Sequence, residues 1–534
     1  MQAPLPISVT MPVKNAEKYL AQSLAALSDF AEVIVLDNGS SDATMQIAAG
    51  FANVRLHQSP FIGFGPLKNL AASLAEHDWI LNIDSDEIVP PDLAAEIAAL
   101  ALDENTVYAL PRLNHYCGRP IRSCGWSPDY VLRLYHRGRV RYNDRRVHES
   151  LALPENTAIV RLRQELLHYS FDGVSELVEK KVQRYTDLFA EQQQFKQRTA
   201  LLSAIGHGAA AFVKSYLFRG GWRDGATGWV ISAAQAQGSY YKYVKLAEAN
   251  RRLSVSLIIS VVRSGADALA AVLQSVLAQQ TAPDEVLLAC AECDARTDAV
   301  VEQYRPLIPS LKLLRQPEKD GSRAEWLNRA LLHSRCDYVL LADSETLLHP
   351  RFVADHKQVA KKGVLVQGAA GQLDQAATDA VLAQAANGSL SLPAWYRRGL
   401  TDAWHKRLRL CRIPLLAKLL IRKENRNLTG IRGCNMGFFR EDAQRINGFN
   451  SDFVGWGRED SEFAARFFNA GGKRANLKFA AVAYHLWHHE ASRQSLPEND
   501  RLLTQALEGS LIRCENGMDR FAAEAVQNEK GSLK

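Results

Sequence analysis

Two short acidic phrases recur in this chain. Asp84-Ser85-Asp86 closes the apolar run Trp79-Ile80-Leu81-Asn82-Ile83, and Asp343-Ser344-Glu345 closes Tyr338-Val339-Leu340-Leu341-Ala342. Carboxylates separated by one residue at the tip of a buried strand can hold a divalent cation, and a divalent cation can hold a diphosphate. Two such tips imply two diphosphate sites, each suited to a nucleotide sugar. A further acid, Asp37, ends Val33-Ile34-Val35-Leu36 and precedes Asn38-Gly39-Ser40. An Asp placed there can accept hydrogen bonds from a base or a ribose, although Asp-Asn-Gly also caps turns.

Such groups need a frame to converge. In both halves, strand-like runs alternate with helical patterns. Residues 7–14 and 256–263 read as first strands, followed by helical stretches at 19–27 and 269–277. Second strands follow at 32–36 and 285–289, and Lys68-Asn69-Leu70-Ala71 lies opposite Leu327-Asn328-Arg329-Ala330. This alternation implies right-handed βαβ units whose strand ends gather on one sheet edge, where ligands bind. The expected fold is α/β, with two tandem Rossmann-like, mostly parallel sheets. The expected domains are residues 1–250 and 251–534, divided near Asn250-Arg251-Arg252.

The bulk numbers agree with that frame. A chain of 534 residues exceeds what one hydrophobic core serves. With 47% hydrophobic and 23% charged residues, it is not a disordered chain. A net charge of +6 is too small to indicate nucleic acid as a partner, and it suits phosphate-bearing substrates or an anionic membrane surface. The start, Met1-Gln2-Ala3-Pro4-Leu5-Pro6, lacks the pattern of a signal peptide. No unbroken run of eighteen apolar residues occurs, so no transmembrane helix is expected and a cytoplasmic location is. Cys290 and Cys293 form a lone CxxC without a second pair at zinc spacing, and read as strand-end thiols in a reducing compartment.

The stretch at about 195–248 differs from the rest. Lys, Arg, Trp and Tyr interleave with apolar residues, as in Ala211-Phe212-Val213-Lys214-Ser215-Tyr216-Leu217-Phe218-Arg219. It reads either as an amphipathic surface resting in a lipid interface or as a helical pair packed on its own domain and the next. Residues 414–423 are a shorter stretch of the same kind.

With Asp37 and Asp84-Ser85-Asp86 in the correct strand order, the first half resembles family 2 glycosyltransferases of the GT-A fold. These transfer a sugar from a nucleotide diphosphate with inversion. The resemblance implies that Asp37 contacts the nucleobase, Asp84 holds the ribose and helps place the metal, and Asp86 binds Mn²⁺ or Mg²⁺. Tyr142-Asn143-Asp144-Arg145-Arg146-Val147-His148-Glu149 resembles the family's acceptor-side Val-His-Glu element, and Leu167-His168-Tyr169-Ser170-Phe171 a later His segment that touches metal or diphosphate. Residues 215–229 and 241–246 are similar to lipopolysaccharide core β-1,4-glucosyltransferases. An acceptor hydroxyl must lose a proton as it attacks, which makes Glu149 the candidate base. The departing diphosphate needs positive charge, for which Lys68, Arg145 and Arg146 are candidates. The plainer readings are a surface pair between Glu149 and either arginine, and a core histidine at His168.

In the second half, Gly455-Trp456-Gly457-Arg458-Glu459-Asp460 resembles the acceptor motif of galactosyltransferase-like and chondroitin-polymerase-like enzymes. The resemblance makes Asp460 the base and has Glu459 grip the acceptor, while Trp456 offers a flat face to a sugar ring. His485-Leu486-Trp487-His488-His489 is similar to the late metal-binding element of that family, with His485 as ligand beside Glu345 and Asp343 on the donor side. Two departures stand out: Cys290 occupies the register of Asp37, and Glu345 that of Asp86.

The sequence therefore implies a bifunctional inverting hexosyltransferase. It would use nucleotide-diphosphate sugars, UDP-sugars above all, and a glycan or glycolipid acceptor such as lipopolysaccharide core. It would sit at the inner face of the bacterial inner membrane. One alternative keeps only the first domain catalytic and makes the second a glycan-binding module. Another is a metal-dependent nucleotidyltransferase, against which the missing Gly-rich loop after the first strand counts.

Overall fold

A computed structural model describes residues 4–143, 150–197, 199–261, 265–290, 293–315, 322–388, 390, 400–402, 404–421, 424–489 and 492–522. The chain forms two compact units. One comprises residues 1–192 with 199–246, the other 193–198 with 247–534.

The first unit opens with strand β1 (Leu5–Val13), helix α1 (Glu17–Ala25), β2 (Phe30–Asp37), β3 (Val54–Gln58), α2 (Phe64–Ser73) and β4 (Trp79–Asn82). It continues through β5 (Thr106–Tyr116), β6 (Tyr130–His136) and β7 (Leu166–Phe171). The sheet order is β3-β2-β1-β4-β6-β5-β7. β1 to β4 are parallel, and β6 runs against both β4 and β5. Alternate residues of β2 enter different cores: Val33 and Val35 pack on one face, Ile34 and Leu36 on the other. A strand covered on both faces has no reason to alternate apolar with polar, and this one does not.

The second unit repeats the plan with β8 (Val255–Val261), α3 (Ala266–Leu277), β9 (Glu285–Cys290), β10 (Leu311–Arg315), α4 (Arg323–His333) and β11 (Tyr338–Asp343). The later strands are β12 (Thr346–Leu348), β13 (Val364–Gly368), β14 (Met436–Phe439), β15 (Lys473–Leu477) and β16 (Ala483–His485), with α5 (Glu459–Asn469) between β14 and β15. In the order β10-β9-β8-β11-β14-β13-β15, the first six strands match β3-β2-β1-β4-β6-β5 of the first unit; β15 takes the place of Ala158–Arg161, and β16 that of β7. Equivalent side chains confirm the repeat. Ser8 donates to Glu32 and Ser256 to Glu285, each across the first two strands. Ser8 therefore corresponds to Ser256, one residue away from the alignment implied by the apolar runs alone.

The stretch after Thr199 is helical: Leu201–Val213 continues through a wide turn to Phe218, and a long helix spans Gly225–Arg251. Leu201–Phe218, 18 residues with mean hydropathy 1.2, is long and apolar enough by composition to cross a membrane, against expectation. Ser203, His207 and Lys214 break the apolar run in the sequence without breaking the helix.

Candidate active site

In the first unit, strand ends bring Asp84, Asp86, Lys68 and His168 together. Asp84 follows β4 and is gripped by Arg133 of β6 at 2.5 Å, with Lys68 of α2 at 3.5 Å. Arg133 is buried and also reaches Glu87 at 2.6 Å and Asn82 at 3.0 Å. Burial pushes the Asp84 carboxyl up, but Arg133 and then Lys68 outweigh it and hold it far below the usual carboxylate range. Asp84 is thus a fixed anion. Asp37 is buried at the end of β2, where its carboxylate accepts the N–H groups of Gly39 (3.2 Å) and Ser40 (3.1 Å). Those bonds are the turn-capping reading of this residue.

His168 Nε2 lies 3.6 Å from the Asp86 carboxylate. Asn114, which no sequence motif marks, sets the ring. Its amide nitrogen donates to Trp126 O and Asp129 at 3.1 Å each, so its oxygen faces His168 Nδ1 at 2.6 Å. Nδ1–H then donates to that oxygen and leaves the Nε2 lone pair towards Asp86. In the neutral ring two acceptors then face one another, an arrangement that a cation between them satisfies. The residues present therefore fit a divalent metal, with the remaining positions left to diphosphate and water. Among the described residues no three His, Cys, Asp or Glu side chains already close on a metal position.

The second unit rebuilds this edge with the same register. His168 pairs with Glu87, directly after Asp86, and His485 pairs with Thr346, directly after Glu345. Tyr169 N–H donates to Asp86 O at 2.9 Å, and Leu486 N–H to Glu345 O at 2.8 Å. Burial pushes the pKa of His485 down, favouring the neutral, ligating form.

Around Asp343 the fittings differ. Arg323, the first residue of α4, reaches Asp343 (3.1 Å), Glu459 (3.1 Å) and Asp460 (3.0 Å). Asp460 also accepts Gly433 N–H at 2.6 Å. A Cβ on Gly433 would stand 2.6 Å from that carboxylate, so the close approach requires glycine. Burial, then the Asp460 charge, raises the Glu459 pKa. Trp456 is 51% exposed on a loop where Gly455, Gly457 and Arg458 all have positive φ. Asn499 holds that loop through the carbonyls of Val454, Trp456 and Gly457.

A further pair of asparagines carries no motif. Asn69 of α2 clamps the backbone N–H and C=O of Tyr142 at 2.8 and 2.9 Å. Asn328 of α4 clamps those of Phe449 at 2.8 and 2.7 Å. Each clamp grips the chain a few residues before the segment that carries Glu149 in the first half and Asp460 in the second. Glu149, Arg145 and Arg146 lie outside the described residues. Where the sequence implies two thiols, Cys290 and Cys293 are joined as a disulfide, their Cα atoms 6.0 Å apart and within bonding reach.

Comparisons with known proteins agree with this geometry. Residues 8–149 match the model "Glycosyl transferase family 2", residues 252–408 "Glycosyltransferase like family 2", and residues 421–490 "N-terminal domain of galactosyltransferase". The chain is 28% identical over 262 residues to the lipopolysaccharide core biosynthesis glycosyltransferase LpsC of Rhizobium meliloti, covering 46% of this chain and 93% of that one. It is 30% identical over 125 residues to the poly(ribitol-phosphate) beta-N-acetylglucosaminyltransferase TarS of Staphylococcus aureus, covering 21% of this chain and 22% of TarS. A crystal structure of GalNAc-T7 with UDP, GalNAc and Mn²⁺ aligns with a TM-score of 0.36 at 13% identity, over 47% of this chain and 48% of that one; nothing is concluded from a likeness of that size. Each half of the chain therefore carries a domain that matches the family 2 glycosyltransferases, and the second half adds a galactosyltransferase-type segment.

Proposed function

We propose that the protein is a bifunctional, metal-dependent, inverting glycosyltransferase. It would move two sugars from nucleotide-diphosphate donors, UDP-sugars foremost, to a bacterial surface glycan of the lipopolysaccharide-core type. The observation that carries this reading is the repeated ladder that pairs the late histidine with the residue directly after the second acid in both units. The relatives named for bacterial surface polymers support the acceptor class.

In the first unit, Asp37 would receive the base, Asp84 the ribose, and Asp86 with His168 the cation. Lys68, Arg145 and Arg146 would face the diphosphate, and Glu149 would take the acceptor proton. In the second unit, Asp343, Glu345 and His485 would serve the donor side. Asp460 would take the proton, Glu459 would hold the acceptor, and Trp456 would stack on its ring. A bound Mn²⁺ or Mg²⁺ supplies positive charge to the leaving diphosphate. The protein would act at the inner face of the bacterial inner membrane, touching it through the exposed apolar face of Leu201–Phe218, of which 17% is buried.

The test is a panel of UDP-sugars with Mn²⁺, comparing wild type, Asp86→Ala and Asp343→Ala. Each variant should lose one transfer product and keep the other. If Asp343→Ala leaves every product unchanged, the second unit is a binding module. Release of pyrophosphate from a nucleoside triphosphate would make the protein a nucleotidyltransferase.

A further inference from the structure

Away from both acidic tips, the first unit holds a cavity of about 490 Å³ between helix Tyr185–Gln193, helix Leu201–Val213 and the long helix from Gly225. Its lining combines apolar and aromatic groups, Tyr185 and Phe189 among them, with Lys181, Lys214, Arg219 and Lys242. No Asp or Glu lines it. Among the described residues, none of the four cations takes part in an ion pair. Lys181 lies 4.6 Å from the Trp126 ring and Lys242 5.0 Å from that of Phe189, so aromatic faces hold two of them in place. Asp129 offsets part of the Lys181 charge, but the lining itself holds four cations and no carboxylate, so the hollow is electropositive and favours an anion.

The surface beside the cavity is inverted relative to a soluble helix. From Leu201 to Phe218 the buried residues are Ala204, Gly208 and Ser215, all small. The large ones face outward: Leu202 is 82% and Phe218 83% exposed, with Leu201, Ile205, Leu217 and the nearby Trp222 also exposed. Small residues let this helix approach the long one, where a Cβ on Gly208 would stand 3.2 Å from Tyr240 Cβ. From Thr199 to Leu246 the sequence carries Lys214, Arg219, Arg223, Lys242 and Lys245 against the single acid Asp224. An outward apolar face beside a basic hollow matches a surface that is apolar inside and anionic at its boundary.

We propose that this cavity binds the phosphate-bearing headgroup of an anionic membrane lipid, while Leu201, Leu202, Ile205, Leu217 and Phe218 enter the adjoining acyl layer. The site goes beyond the membrane contact proposed above by assigning it a headgroup pocket. It does not depend on which sugars are moved.

The test is vesicle flotation of the full chain without any sugar donor, so its failure is distinct from failure of the transfer reading. Wild type should float with phosphatidylcholine vesicles containing phosphatidylglycerol and not with phosphatidylcholine alone. Lys214→Gln/Lys242→Gln should lower partitioning roughly thirtyfold. Phe218→Ser should lower it about tenfold. Arg119→Gln/Arg141→Gln, which removes two exposed cations outside the cavity, should leave it within about twofold. Equal flotation with neutral vesicles, or equal loss in the two double variants, overturns the headgroup site. Should the cavity variant not fold, amide exchange of the wild type decides. Short-chain phosphatidylglycerol must slow exchange in residues 185–193 and 201–213 more than its phosphatidylcholine counterpart does, and equal slowing overturns the proposal.

Discussion

The two units share most of a sheet order and a ladder that sets a histidine beside the acidic tip, yet balance charge in opposite ways. In the first, Arg133 sits opposite Asn82 and ties it to Asp84 and Glu87. In the second, the register of the same strand pair places Met436 opposite Leu341, and Thr346 takes the place of Glu87. A polar network has been exchanged as a set for an apolar one. Countercharge for Asp343 comes instead from Arg323, shared with Glu459 and Asp460. The first unit sets three cations, Arg133, Lys68 and Arg112, against Asp84 and Glu87, with Arg112 shared with Asp129. The second sets three carboxylates on one guanidinium and gains more from any further cation that arrives. The backbone geometry of an acidic tip can thus persist while the groups behind it are replaced, provided they are replaced together.

That comparison can be broken most forcefully at Arg133. Arg133→Met alone leaves Glu87 buried without its main partner and should cost about 3–5 kcal/mol. Adding Asn82→Leu and Glu87→Thr copies the second unit and should recover most of that loss. Urea unfolding of the full chain, followed through its separate transitions, checks both. No recovery in the triple variant would mean that the exchange is not modular.

The asparagine clamps should matter equally in both halves. Asn69→Ala and Asn328→Ala each leave a backbone N–H and C=O short of partners, at a cost of about 2 kcal/mol in the unit affected. Each should lower transfer only at its own site, read from the two products separately.

A smaller effect is expected at Asn114. Asn114→Leu frees the His168 ring from its tautomer and should weaken Mn²⁺ binding by the first unit roughly tenfold. Electron paramagnetic resonance titration should show the second unit unchanged.

The smallest effect concerns pH. The folded-state pKa of Glu459 is raised by burial and then by Asp460. A raised carboxyl pKa stabilises the fold below the ordinary glutamate range, near 4.3, and that contribution is lost as pH rises through the folded value. The stability of Glu459→Gln relative to wild type should therefore improve as pH is raised, measured by denaturation across that range. An opposite slope would mean that Arg323 dominates Glu459.

Much of the frame was legible in the sequence because apolar β-branched runs and helical spacing are local signals. The one-residue offset at the first strand arose where both faces are buried, since a run without alternation does not set its own register. The acidic tips were legible because two carboxylates directly after a buried run are unusual. Their partners were not: Arg133 lies 49 residues from Asp84, Asn114 54 from His168, and Arg323 137 from Asp460. One signal was available, a cation inside the apolar strand Val131-Leu132-Arg133-Leu134-Tyr135, since a charge so placed needs a buried partner. The matching Asn69 and Asn328 were visible as a repeated letter, but only folding revealed what they hold.

Those clamps also give the molecule a pair of docking posts for grafting. From Tyr142 the chain reaches Glu149 seven residues later, whereas from Phe449 it reaches Asp460 after eleven. A bidentate grip on the backbone is blind to the length and composition of the segment beyond it. Exchange of these segments between halves, cut at the gripped residue, would leave each clamp and the strands before it in place.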